Sequence, residues 1–457
     1  MKKLEQVKSV FFLGIGGIGM SALARYFHSK GIKVSGYDKT PTALTSALID
    51  EGISIHFEDD CSLISSDFSD PNQTLVVITP AIPANHKEWA FFKENGFEIL
   101  KRSAILGLIT ADAFTIAVAG THGKTTTSTL IAHLLKSAGL ECTAFLGGIS
   151  KNFNSNLLIG HLQNGRNIIV VEADEYDRSF LTLYPDIAVI TSMDPDHLDI
   201  YGDANQMLKT YQEFASQVKP NGCLIYKKGL PVGKVNARSL DYALQSPADQ
   251  FSSDINIKNH QYHFNWTGRG FSFNDLTTGL PGEHNVENAV AAISVAVELG
   301  LSEEVIRKGL ASYQGVNRRF DYQVRSENLI YIDDYAHHPE ELRACISSVK
   351  SLYPGKKITG VFQPHLFSRT RDFADGFAQS LSMLDELLLL DIYPARELPI
   401  QGVTAEMILD KVTCAVKKIC TKDEVLNMFK TSRPEVLLTL GAGDIDQLVL
   451  PLQKLLS

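Results

Sequence analysis

Cysteine is scarce, and its spacing suits neither of its common structural uses. The six cysteines, Cys61, Cys142, Cys223, Cys345, Cys414 and Cys420, form no C-x-x-C pair. The chain therefore reads as neither a zinc ribbon nor a disulfide framework, and a reducing cytoplasm is the simplest compartment. No apolar stretch approaches the roughly 18 residues that a membrane span requires. Positive charge is short as well: 43 Lys and Arg stand against 52 Asp and Glu, a formal net charge of −9. That balance argues against non-specific binding to nucleic acid or to an anionic membrane surface. Low-complexity tracts and short internal repeats are missing. What remains is 457 residues with 44% hydrophobic content, a globular composition long enough for about three domains. Small anions held in clefts are the expected partners.

The chemistry concentrates first at Gly120-Thr121-His122-Gly123-Lys124-Thr125-Thr126. Phe114-Thr115-Ile116-Ala117-Val118-Ala119 before it suits a buried parallel strand, and Leu130, Leu134 and Leu135 after it recur at helical spacing up to Gly139. In a strand, glycine turn, helix context the small residues let backbone N–H groups approach phosphates. The helix N-terminus adds partial positive charge, Lys124 reaches the β/γ-phosphates and Thr125 suits Mg²⁺. Gly120 stands three residues before Gly123, so this is a shortened variant of the general P-loop pattern. We read it as a cradle for ATP.

The N-terminus mimics a signal peptide, with Lys2, Lys3, an apolar run from Val10 and Ala22-Leu23-Ala24. The glycines in that run favour another reading. Gly14, Gly16 and Gly19, with Gly17 between them, follow the strand Val10-Phe11-Phe12-Leu13, and a second strand from Lys33 to Tyr37 ends at Asp38. This pattern fits a dinucleotide such as NAD or a UDP-sugar. Thr79, after the strand Leu75 to Ile78, lies where open α/β sheets hold ligands, and Arg102 reads either as a diphosphate contact there or as a solvated helix end.

Two later strands end in acid. The run Asn167 to Val171 leads into Glu172-Ala173-Asp174-Glu175, where carboxylates suit Mg²⁺, and Ile187 to Thr191 leads to Asp194-Pro195-Asp196-His197. His197 is either a metal ligand or a histidine paired with its neighbouring carboxylates. Alternating aromatic residues from Phe251 to Phe273 predict antiparallel edge strands without chemistry. Asn285 and Asn288 share a helix face: one amide suits an adenine edge, while Asn285 also suits a helix cap. After the basic joint Asn317-Arg318-Arg319-Phe320, strands and helices alternate again, with polar loops at Asp333 to Pro339, Gln363 to Arg369, Asp391 to Arg396 and Gly441 to Ile445. Ligands bind at such carboxyl ends.

Gly120 to Thr126, Glu172 to Glu175, His284-Asn285 with Asn288, and Asp334-Tyr335-Ala336-His337-His338-Pro339, together and in this order, resemble the Mur ligases, a family of ATP-dependent amide-forming enzymes. The resemblance implies an α/β protein of three domains. Rossmann-like parallel sheets over 1–109, for the UDP end of a substrate, and over 317–457, for an amino acid, flank a central P-loop-type ATPase domain over 110–316. It turns the first glycine motif towards UDP and assigns Gly14, Gly16, Gly17, Gly19, Asp38, Thr79 and Arg102 there.

For ATP it implies Gly120 to Thr126, Asn288, Arg319, Asp334 and Tyr335, with Lys124 on the phosphates and Arg319 on the γ-phosphate. For Mg²⁺ it implies Thr125, Glu172 and His197. His338, His365 and Arg369 are candidates for the amino-acid end, and His338 for a base. Leu366 stands where many alanine-adding relatives carry arginine, so recognition of a carboxylate falls to Arg369 or Arg371. The implied substrates are UDP-N-acetylmuramate and L-alanine, in a cytoplasmic monomer or homodimer. A family rival instead attaches a murein tripeptide; outside the family, a nucleotide-dependent regulator without ligase activity and an NAD-dependent oxidoreductase remain as alternatives.

Overall fold

The computed structural model describes residues 4–163, 165–196, 198–395 and 397–457; the predicted metal residue His197 lies outside them. The chain divides into two compact units, one of Met1–Ala243, Pro247–Gln250 and Val290–Gly309, the other of Leu244–Ser246, Phe251–Ala289 and Leu310–Ser457.

The first unit carries a parallel sheet in the order Ser54–His56, Lys33–Tyr37, Ser9–Leu13, Thr74–Ile78, Glu98–Lys101. Val10, Phe11, Phe12 and Leu13 are fully buried, as expected of a central strand covered on both faces, which is why it reads as an unbroken apolar run. The outer strands Ser54–His56 and Glu98–Lys101 are short and mostly half-buried, so they left no such run in the sequence. Further along the chain, Phe114–Ala119 lies between Ile187–Ile190 and Ile168–Glu172, parallel to both. That order brings the segments after Ala119, Glu172 and Ile190 to one end of the sheet, where the predicted phosphate loop and both acidic segments begin. The hairpin of Cys142–Ser150 and Ser155–Leu158 closes this side, with an irregularity between Phe145 and Ser150.

In the second unit, Asp321–Arg325, Ile330–Asp334, Val436–Leu440, Ile358–Phe362, Glu386–Leu389 and Val416–Ile419 form a sheet in that order, antiparallel only at its first pair. The four apolar runs expected after the basic joint, Leu329 to Ile332, Ile358 to Phe362, Leu387 to Leu390 and Val436 to Leu440, supply its four inner strands. The two edge strands went unforeseen, because Val416–Ile419 holds two lysines and is mostly exposed, and Asp321–Arg325 has polar residues between its apolar ones. The predicted aromatic alternation is real. In Gln261–Gly268, Tyr262, Phe264 and Trp266 are 2%, 1% and 0% exposed, and the strand pairs antiparallel with Phe271–Thr277. The α/β class with parallel-rich sheets is thus the class expected.

Candidate active site

The loop after Phe114–Ala119 turns on Gly120 (φ 136°) and Gly123 (φ 82°), backbone angles that few other residues tolerate, and runs into helix Lys124–Ser137. Its shape is held by the neighbouring strand end. The Thr191 hydroxyl donates to the His122 carbonyl, His122 N–H donates to Ser192 Oγ at 2.8 Å, and Thr121 Oγ1 donates to the Asp194 carbonyl at 2.8 Å. Lys124 Nζ donates to the Gly120 carbonyl at 2.6 Å and lies 2.9 and 2.8 Å from the two oxygens of Glu175. The Glu175 side chain is buried, 2% exposed, and that of Lys124 is partly buried, 13% exposed. Burial pushes the Glu175 carboxyl up to about 7, against the pull of Lys124. Burial also works to discharge Lys124, but Glu175, Glu172 and Asp174 together outweigh it and hold the lysine above its ordinary value, charged.

Glu172 ends its strand with its carboxylate against Gly147. The Gly147 N–H donates to Glu172 Oε2 at 3.1 Å, and a Cβ on Gly147 would stand 2.1 Å from that oxygen. Thr125 is 5% exposed in the first turn after the loop. Among the described residues no group of three or more His, Cys, Asp and Glu could hold a metal ion. Mg²⁺ commonly needs only one or two protein ligands alongside substrate phosphates, so Thr125 and the Glu172 carboxylate, fixed by a backbone N–H, fit it.

The first glycine motif is gathered with its predicted partners. Gly14 N–H donates to the Tyr37 carbonyl at 2.8 Å, Gly16 N–H donates to Asp38 Oδ2 at 2.7 Å, and Thr79 Cγ2 lies against Gly14. Gly17 precedes helix Ile18–Ser29 without a side-chain cap, leaving its first N–H groups for an anion. Arg102 lies against Gly19, and its Nη2 donates to Asp174 Oδ2 at 2.9 Å. Arg102 stands at the start of helix Arg102–Thr110, 25% exposed, with its guanidinium paired to Asp174.

In the second unit, Asp334 ends Ile330–Asp334 and binds the basic joint. Its carboxylate accepts the N–H groups of Phe320 at 2.6 Å and Ala336 at 2.8 Å, and burial pushes its carboxyl up to about 6. Arg319 and Arg318 lie over the Tyr335 ring at 5.0 and 5.2 Å. Arg319 also reaches Glu341 at 3.7 Å, and the same carboxylate accepts the His337 N–H at 3.0 Å. Glu341 was missed; its place one turn into helix Pro339–Leu352, four residues after His337, was the available signal. His338 is buried and caps that helix, its Nδ1 accepting the Glu340 N–H at 3.3 Å. His365 stacks on Tyr393 at 5.8 Å. Arg369 is 6% exposed, whereas Arg371 is half-exposed and bonded to Asp372. Leu366 is buried at φ 72°. Asn285 donates to the Pro281 carbonyl at 2.7 Å and receives the Asn288 amide at 3.4 Å, which favours the turn-holding role for Asn285.

His284, also unassigned from the sequence, bonds Ser348 at 3.3 Å through Nδ1. Burial pushes its imidazole from 6.5 down to about 4, with Glu341 opposing the fall and Arg319 adding to it. A histidine that folds neutral binds fewer protons than the unfolded chain does between those values. Its contribution is complete above pH 6.5 and is lost as pH falls towards 4. Denaturant titrations across that range should show a flatter acid limb for His284→Gln; a curve parallel to the unsubstituted chain would rule out His284 as the source.

Family models match nearly the whole chain: Mur ligase family, catalytic domain, over residues 9–114; Mur ligase middle domain over 118–296; and Mur ligase, glutamate ligase domain, over 318–443. The chain belongs to the Mur ligase family. It is 51% identical over 454 residues to the UDP-N-acetylmuramate–L-alanine ligase of Flavobacterium johnsoniae, covering 99% of each chain. It is 50% identical over 456 residues to the ligase of the same name from Porphyromonas gingivalis, again covering 99% of each. Among solved structures, the UDP-N-acetylmuramate-alanine ligase of Thermotoga maritima superposes with a TM-score of 0.82 at 26% identity over 97% of each chain. A murein peptide ligase of Psychrobacter arcticus gives 0.72 at 20% identity over 98% of each, a likeness of fold alone. As a Mur ligase, the chain is of an ATP-dependent ligase class.

Proposed function

We propose that this chain joins L-alanine to the lactyl carboxylate of UDP-N-acetylmuramate at the expense of ATP, in cytoplasmic peptidoglycan precursor synthesis. The observation that carries this is identity of about half the residues across 99% of the chain with ligases of that name. The three-domain division at 109/110 and 316/317 belongs to the same reading, supported by family-model matches that begin and end near those points. So does a cytoplasmic monomer or homodimer; among the described residues no helix is long and apolar enough to cross a membrane.

In this reading the γ-phosphoryl of ATP moves to the lactyl carboxylate, and the free amine of alanine attacks the resulting acyl phosphate, expelling phosphate. Lys124 and the loop from Gly120 to Thr126 hold the phosphates, and the lysine charge counters that of the transferring group. Mg²⁺ held by Thr125 and Glu172, with His197 assigned to a second ion, would offset further charge there. Asn288, Arg319, Asp334 and Tyr335 are assigned to the nucleotide, and Arg369 and His365 to the amino acid. The Nδ1 of His338 is engaged at the helix start, so any base role would fall to its other nitrogen. Gly14, Gly16, Gly17, Gly19, Asp38, Thr79 and Arg102 are assigned to the UDP end.

Phosphate release with ATP, Mg²⁺ and UDP-N-acetylmuramate should depend on added L-alanine and ignore a murein tripeptide. Release driven by the tripeptide would transfer the chain to the peptide-recycling branch. Release without any amide product in mass spectrometry would favour a regulator, and nicotinamide binding would revive the oxidoreductase reading.

A further inference from the structure

The contact that tied Arg102 down joins two motifs that the sequence left separate, the UDP cradle and the acidic segment after Glu172. Arg102 opens helix Arg102–Thr110. Its Nη1 lies 2.5 Å from where a Cβ on Gly19 would be, so the guanidinium rests on the first turn of Ile18–Ser29. A planar guanidinium presents donors in fixed directions, so anchoring one nitrogen aims the others. Here Nη2 is anchored on Asp174 Oδ2 at 2.9 Å.

Asp174 is itself well fixed. Its other oxygen accepts the Tyr176 N–H at 3.1 Å, and its carbonyl accepts the Phe180 N–H at 2.9 Å. Just beyond, Asp177 (φ 52°) and Arg178 (φ 56°) are two consecutive non-glycine residues in the left-handed region, a strained arrangement that needs surrounding contacts to persist. Lys101 Nζ meets Asp177 Oδ2 at 2.6 Å, and Thr182 Oγ1 donates to the Ser103 carbonyl at 2.9 Å. Residues 101 to 103 thus dock along the segment at three successive points.

We propose that Asp174 is a positioning residue: it holds the Arg102 guanidinium at the uncapped N-terminus of Ile18–Ser29, where the diphosphate of a UDP-linked substrate is recognised. This rests on the proposed function for the identity of the substrate. Asp174 touches neither substrate nor metal in this role; it acts through Arg102.

Four chains test it: the unsubstituted one, Asp174→Asn, Arg102→Ala and the double variant. In the alanine-dependent phosphate-release assay, Asp174→Asn should raise KM for UDP-N-acetylmuramate about tenfold and KM for ATP by less than about twofold, while in the Arg102→Ala background the same change adds less than about twofold. Asp174→Glu, which keeps the charge, should recover part of the loss. Calorimetric titration with UDP alone should show the same order of affinities, whatever the reaction proves to be. An equal Asp174→Asn effect in the Arg102→Ala background, a larger effect on ATP than on the UDP substrate, or unchanged UDP affinity overturns the proposal. If the unsubstituted chain binds UDP yet releases no phosphate with alanine, the proposed function fails while the Asp174 arm is still decided by the titrations.

Discussion

Lys124→Ala should lower alanine-dependent phosphate release on the order of 10³-fold, the scale seen when a fixed cation is withdrawn from a transferring phosphoryl group. The lysine is aimed by the Gly120 carbonyl and by Glu175, and three carboxylates keep it charged. Its removal has a second effect. Glu175, 2% exposed, loses its counter-charge, and stranding one partner of a buried pair costs about 3–5 kcal/mol. Lys124→Ala is therefore expected to melt lower as well as to be inactive. Lys124→Ala with Glu175→Gln separates the two effects, since removing the stranded charge should restore most of the melting temperature and none of the activity. Activity returning along with stability would mean that the lysine serves the fold rather than the phosphates.

Gly147→Ala should reduce turnover about 10²-fold with little loss of stability, a combination unusual for a glycine beside a buried strand. Its backbone angle is not in the left-handed region, so alanine is tolerated there by the main chain. The new Cβ would stand 2.1 Å from Glu172 Oε2 and 2.4 Å from its Cδ. These atoms are the end of a flexible side chain, so the cheap response is for the carboxylate to swing away. The fold survives, and the carboxylate assigned to Mg²⁺ is no longer where the Gly147 N–H held it. Glu172→Gln should fall to a similar rate, and raising Mg²⁺ should recover activity in Gly147→Ala more than in Glu172→Gln. Equal Mg²⁺ dependence in Gly147→Ala and the unsubstituted chain would detach Glu172 from the metal.

Much of the protein was legible in the linear chain because it lies in local chemistry. The strands Ser9–Leu13, Phe114–Ala119 and Ile168–Glu172 are buried on both faces and so had to be continuous apolar runs. The Gly-x-x-Gly-Lys-Thr turn needs its residues side by side, because a loop closing on phosphates is built from consecutive N–H groups. Charge, cysteine spacing and the order of the motifs set the class. The edge strands Val416–Ile419 and Asp321–Arg325 were not legible, since a strand paired on one side and partly wet carries no continuous apolar signal.

Pairings were beyond the sequence for a different reason. Lys124 with Glu175, Glu172 with Gly147 and Arg102 with Asp174 are separated by 51, 25 and 72 residues, and composition says nothing about which distant groups meet. The strand order does: placing Ile168–Glu172 beside Phe114–Ala119 brings the acidic segment to the phosphate loop. Residue types and turn chemistry were therefore written locally, whereas which carboxylate faces which cation was decided only when the parallel strands aligned their carboxyl ends and burial made each unpaired charge too costly to keep.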